Sequence, residues 1–134
     1  MAKRILRWLP AVILMALIFI ASAMPGSDLP KFGTMDLIIK KGGHMTGYAL
    51  LAMAFFLAAY GDTKNVARSA VISLCLAIVY AASDEYHQSF TPGRSPSIMD
   101  VGIDAAGAII GAGVAAVTRM VRSDSQRSGR KYPG

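Results

Sequence analysis

Apolar and polar residues are sorted along this chain into long blocks. Apolar blocks run from Trp8 to Met24, from about Gly42 to Tyr60, from about Val66 to Ser83 and from about Ile98 to Val121. Each is close to the length of about 20 residues that a helix needs to cross a bilayer. Each is also too apolar around its circumference to be a surface helix with one dry face. A backbone in lipid must satisfy its own hydrogen bonds, so blocks of this kind become helices. The pattern predicts an all-α protein, an integral membrane four-helix bundle, built as one domain over residues 1–121.

The connecting segments differ in character. The first, from Pro25 to about Lys41, contains Pro25, Gly26, Pro30 and Gly33 and is expected to be irregular. The second, Gly61 to Asn65, is short enough to make its two helices an antiparallel hairpin. The third, Asp84 to Ser97, is the most polar stretch between two blocks. Residues 122–134, rich in Ser, Gly, Arg and Lys, read as a disordered basic tail. The basic start, the apolar run and Ala21-Ser22-Ala23 also fit a cleavable secretory signal. An uncleaved first span is the commoner arrangement where further spans follow, and it is the reading adopted.

Composition supports the membrane assignment. Of 134 residues, 54% are hydrophobic and 16% charged, against about 45–50% apolar in soluble domains. The net charge of +6 does not signify nucleic acid. The basic residues sit at block ends and in the tail, and no basic stripe with interleaved aromatics is present. Counting lysine and arginine sets the orientation. With the N-terminus inside, Lys3, Arg4, Arg7, Lys64, Arg68, Arg119, Arg122, Arg127, Arg130 and Lys131 are inside, against Lys31, Lys40, Lys41 and Arg94 outside, ten to four. Both termini are then cytoplasmic, and the first and third connectors share the outer face. The lone Cys75 excludes an internal disulfide framework and reads as a small buried or lipid-facing residue.

Three segments bring ionisable groups to that outer zone. If the third helix continues one turn, Asp84, His87 and Gln88 share a face and Glu85 points about 100° away. Pro92-Gly93 then turns the chain and returns Arg94 to the membrane surface. On the fourth span Asp100 and Asp104 lie on one face, continued by Gly107 and Gly111. An aspartate within a span is costly unless paired or hydrated, so both should face the bundle interior, and the glycines should let another helix approach closely. On the second span Lys41, His44 and Tyr48 line one face, while Gly43 and Gly47 are assigned to packing. Solvated loop residues for the third connector, ion pairing of the aspartates with Arg94 or Lys41, and a hydrogen-bonded core role for His44 are the bland alternatives. The convergence of three segments favours a site.

These residues resemble the VanZ-like family of small bacterial membrane proteins. The sequence carries Lys41-x-x-His44-x-x-x-Tyr48, then Glu85-x-x-Gln88-x-Phe90-x-Pro92-Gly93-Arg94, then Asp100-Val101-x-x-Asp104-x-x-Gly107, in order over about residues 36–115. Lys40 stands where an acidic residue often precedes the motif lysine, and Asp104 stands where asparagine is common. The resemblance implies a multi-pass protein of the bacterial cytoplasmic membrane. The family's namesake is linked to resistance to the glycopeptide teicoplanin, and no molecular activity follows from the resemblance.

Two functions compete. In the first, the pocket binds or acts on an amphiphilic cell-envelope substrate, a lipid-linked phosphate or a lipoglycopeptide. His44, Glu85, Asp100 and Asp104 are then the candidate catalytic groups, and Lys41, Tyr48, Asp84, Gln88 and Arg94 the candidate substrate contacts. In the second, the same cluster is a structural ion network in a non-catalytic binding or assembly protein. No Gly-x-Ser-x-Gly signature is present, and Ser89 and Ser95 are weak nucleophiles. Oxygen ligands from Glu85, Asp100 and Asp104 suit magnesium or calcium, but no recognised metal spacing supports them; no metal and no cofactor is assigned. The expected partners are membrane lipids or a lipid-linked envelope ligand. A transporter is a third option, for which four short spans leave little room.

Overall fold

A computed structural model describes residues 2–131 of the chain. It contains four long helices: α1 (Ala2–Ser22), α2 (Asp36–Thr63), α3 (Val66–Gln88) and α4 (Ile98–Lys131). All four are long and apolar enough to cross a membrane. Large apolar side chains point outward on every helix, among them Leu17, Leu57, Val79 and Val117, each more than half exposed. In water that surface would drive association; in lipid it is the ordinary outside of a bundle. Cys75 lies on such an exposed face.

The helices run past their apolar blocks, and the reasons are local. Asp36 opens α2, where an acidic side chain favours the positive end of the helix dipole. Its carboxylate also accepts from the Phe32 backbone N–H at 3.2 Å. The irregular first connector therefore ends at Met35 rather than near Lys41, and contains two short 3-10 turns, Gly26–Asp28 and Gly33–Met35. The hairpin turn forms as expected. Lys64 takes the left-handed conformation at φ 54°, and the Asn65 side chain caps α3 by accepting from the Arg68 N–H at 2.9 Å. At its other end α3 continues to Gln88, the extra turn that places Asp84 and Gln88 together. Beyond the fourth apolar block, α4 remains helical to Lys131, across residues 122–131 that composition assigns to a disordered tail. No proline interrupts it there, and extending an existing helix is far easier than starting one. Residues 132–134 of that tail lie outside the described residues.

Packing centres on α2. Its buried side chains are large: Tyr48, Leu51, Phe55 and Phe56. Those it meets are small. On α3 the buried stripe is Ser69, Ser73, Ala77 and Ala81, spaced by fours. On α4 it includes Ala108, Ala112 and Ala115, with Gly107 and Gly111 set against the backbone of Met45 and Ala49. Large knobs from one helix thus enter shallow, backbone-lined holes on two others, which maximises van der Waals contact where lipid supplies no hydrophobic drive. The pairs Lys41–Asp100, His44–Asp104 and Tyr60–Arg119 show that α2 and α4 run in the same direction, with α3 antiparallel to both.

α1 lies outside this three-helix core and buries only Ala11 and Ser22. It packs mainly on α2 and touches α3 slightly. Polar clasps hold it along its length. Arg4 and Arg7 pair with Asp62 at 3.1 and 2.6 Å beside the hairpin turn. The Tyr80 hydroxyl donates to the Met15 carbonyl at 2.6 Å near the middle, and Ser22 meets Asp84 at the far end.

Candidate functional site

The end of the bundle opposite the α2–α3 turn gathers the ionisable residues. Lys41 and His44 stand one turn apart on α2. Asp100 and Asp104 stand one turn apart on α4. Because the two helices run parallel, the residues face each other as rungs. Lys41 Nζ meets Asp100 Oδ1 at 2.6 Å, and His44 Nδ1 lies 3.5 Å from Asp104 Oδ1. The second separation is longer than a good hydrogen bond. Asp104 is 1% exposed, and neither of its carboxylate oxygens has a hydrogen-bond partner among the described residues. A buried polar atom left in that state costs about 1–3 kcal/mol, and more when charged.

Two loops close over this end. Gly26 N–H donates to the Pro92 carbonyl at 3.0 Å, and Gly26 packs directly on the Gly93 backbone. Gly93 holds φ at +73°, a conformation that suits glycine. The turn returns Arg94 to α1, where its guanidinium donates to the Ala21 carbonyl at 3.0 Å and the Met24 carbonyl at 3.4 Å. A cation on the last carbonyls of a helix is favoured by hydrogen bonding and by the helix dipole. Glu85 performs the opposite task. Its Oε1 accepts from Ser97 N–H at 2.6 Å, just before α4 begins. One residue thus secures the end of α1 and the other the start of α4.

Beneath the loops lies a cavity of about 430 Å³. Seven of the nine residues singled out from the sequence line it: Lys41 and His44 from α2, Glu85 and Gln88 from α3, Arg94 from the loop, and Asp100 and Asp104 from α4. Tyr48 and Asp84 do not. Asp84 is buried between α3 and α1, where its Oδ2 accepts from Ser22 Oγ at 2.7 Å and from Gln88 Nε2 at 3.1 Å. The shared face of Asp84 and Gln88 is correct, but it is turned towards α1. Tyr48 lies deeper, fully buried, with its hydroxyl unpaired among the described residues.

Other residues of the cavity were not singled out. Asp36 and Lys40 line it and pair with each other at 2.7 Å, their i,i+4 spacing being a signal visible in the sequence. Gly26 and Leu29 also line it, and nothing local in the first connector identifies them. His87 stacks on Phe19 of α1, ring centroids 4.4 Å apart. Among the described residues no three His, Cys, Asp or Glu side chains lie close enough together to hold a metal ion.

A second cavity of about 360 Å³ lies between α1 and α2. Its walls are mostly apolar, with Ile18 and Ala21 on one side and Ile39, Gly43 and Gly47 on the other. It shares Leu29, Lys40, His44 and Arg94 with the first.

Four spanning helices with a polar cavity at one end define a multi-pass membrane protein of the small helical-bundle class. The model of the VanZ/LLP1 family matches residues 7–119, and the chain belongs to that family. No curated protein and no solved structure matches the chain.

Proposed function

We propose that this membrane protein binds an anionic amphiphile of the cell envelope, a lipid-linked phosphate or a lipoglycopeptide, in the cavity between α2, α3 and α4. The charge count places that cavity on the outer face of the cytoplasmic membrane. Arg94, with no carboxylate within 4.0 Å among the described residues, supplies the attraction for an anionic group, and Lys41 lines the same cavity paired with Asp100. His44, held beside Asp104, is the group suited to take or give a proton once a ligand is bound.

The observation that carries this reading is Asp104. A structural network saturates its own polar groups, yet among the described residues this buried carboxylate has no hydrogen bond and only the His44 ring beside it at 3.5 Å. The purely structural reading draws on a different observation, that Glu85 and Arg94 each hold a helix terminus. Both readings apply within one cluster: Glu85 builds the cavity wall, Arg94 secures the end of α1 while keeping its charge for an anion, and His44 and Asp104 are the working pair.

Asp104→Asn and His44→Gln test this. If Asp104 serves a ligand, its conversion to asparagine removes a buried charge, and the variant unfolds in detergent at least as reluctantly as the parent. It also binds a lipid-linked pyrophosphate or teicoplanin about tenfold more weakly, a loss of about 1.4 kcal/mol, because the His44 ring loses the carboxylate that orients it in the cavity. If Asp104 is structural, breaking its pairing destabilises the fold by about 3–5 kcal/mol. That outcome, or unchanged ligand binding in both variants, overturns the proposal.

A further inference from the structure

The glycines of α2 and α4 behave differently. On α4 a side chain at Gly107 or Gly111 would collide with the α2 backbone, so those glycines permit helix contact. On α2, Gly43 has nothing within 4 Å of where a Cβ would stand, and Gly47 has only the Ile18 side chain, at 3.8 Å. The expectation that glycine serves helix packing therefore does not hold at Gly43, while Gly47 meets Ile18 of α1 at ordinary contact distance. Glycine within a helix is unfavourable relative to alanine. What Gly43 and Gly47 do is leave a gap between the side chains of the α2 wall of the apolar cavity.

That cavity is placed for a particular ligand. It lies along α1, the most loosely packed helix of the bundle. Its polar end is shared with the ionisable cavity through Lys40, His44 and Arg94. Lys40 is already paired with Asp36. Arg94 bonds only to backbone carbonyls and has no carboxylate within 4.0 Å among the described residues. Its charge is available to an anion, and a guanidinium matches phosphate oxygens geometrically. Tyr48, whose buried hydroxyl is unpaired among the described residues, is one of the residues lining the apolar side. Both cavities fall within the range of about 300–1,000 Å³ typical of ligand sites.

We propose that the groove between α1 and α2 receives one acyl chain of an anionic membrane phospholipid, whose phosphate rests at Arg94 where groove and polar cavity meet. This rests on the reading of the polar cavity as an anion site and adds the route of entry, sideways from the bilayer past Gly43. It also separates the ligand from ordinary surrounding lipid, which contacts the outward faces of α3 and α4 equally well.

The test uses the full chain in phosphatidylcholine nanodiscs, doped with phosphatidic acid carrying a photoreactive diazirine either in the middle of one acyl chain or beside the phosphate. In the parent protein the chain-placed probe labels peptides containing Ile18, Ile39 and Gly43 well above those from the outer faces of α3 and α4. The phosphate-placed probe labels the Arg94 peptide. Gly43→Leu fills the groove and lowers chain labelling there by about tenfold, the effect of displacing about two methylenes. Gly102→Leu, at another glycine with open space around it and in the lining of neither cavity, leaves labelling unchanged. Even chain labelling around the bundle with retained labelling at Arg94 overturns the groove and spares the anion site. No enrichment of either probe over a diazirine diacylglycerol overturns both. The labelling map of the parent protein decides the matter even if Gly43→Leu fails to fold.

Discussion

Replacing Gly111 by alanine tests the physical basis of the whole arrangement. The added Cβ would stand 2.6 Å from the Ala49 carbonyl carbon and 2.8 Å from its Cα. Ordinary carbon contacts are about 3.5–4.0 Å, so α4 must withdraw from α2 by about 1 Å. A gap of that size forfeits about a quarter to a half of the dispersion energy of each contact across it. Summed over the apolar contacts between α2 and α4, we expect a loss of about 2–3 kcal/mol, towards the upper end of what overpacking costs. Gly113 is the control. It lies on the same helix with nothing within 4 Å of its Cβ position, so Gly113→Ala should stabilise the protein by about 0.5–1 kcal/mol through helix propensity alone. Unfolding in mixed micelles, driven by sodium dodecyl sulfate and followed by helical circular dichroism, measures both. The two substitutions should act with opposite signs. Values within about 0.5 kcal/mol of each other, the usual scatter of innocuous surface changes, would refute close approach as the reason for glycine at position 111.

Two further outcomes are expected. Ser22→Ala removes the donor to Asp84 Oδ2 and an acceptor for Gln88 Nε2; the buried carboxylate loses a partner, and the same assay should show a loss of about 1–3 kcal/mol, with no change counting against a role for Ser22 in clasping α1. Gly26→Ala would set a Cβ 2.8 Å from the Gly93 carbonyl carbon, so the two loops should part. Hydrogen exchange should quicken in the loop residues around Gly26 and Gly93 while the helix cores keep their protection, and unchanged exchange in the loops would sink that reading.

The four spans and most of the ionisable residues of the cavity were legible along the chain. Blocks of about 20 apolar residues have one solution in lipid, and helical periodicity alone put Lys41 with His44 and Asp100 with Asp104. Those are properties of single helices, so spacing along the chain is enough to find them. What each face meets is a property of helix pairs, and it emerges only when the helices pack. Close approach at Gly107 and Gly111 sets α4 directly against α2, which makes rungs of Lys41–Asp100 and His44–Asp104. The face bearing Asp84 turns to Ser22 on α1, a partner distant in sequence, and so Asp84 leaves the cavity that its spacing suggested. Glu85 and Arg94 read as candidate catalytic and substrate-binding groups, and each also bonds a helix terminus that exists only after folding. The same residue type even divides in two. Gly107 and Gly111 are contacts and Gly43 is open space, a difference that depends on which helix lies opposite. The polar cluster was thus legible as a set of residues, and its division into wall and working groups came from the packing of helices that carry no local mark of their neighbours.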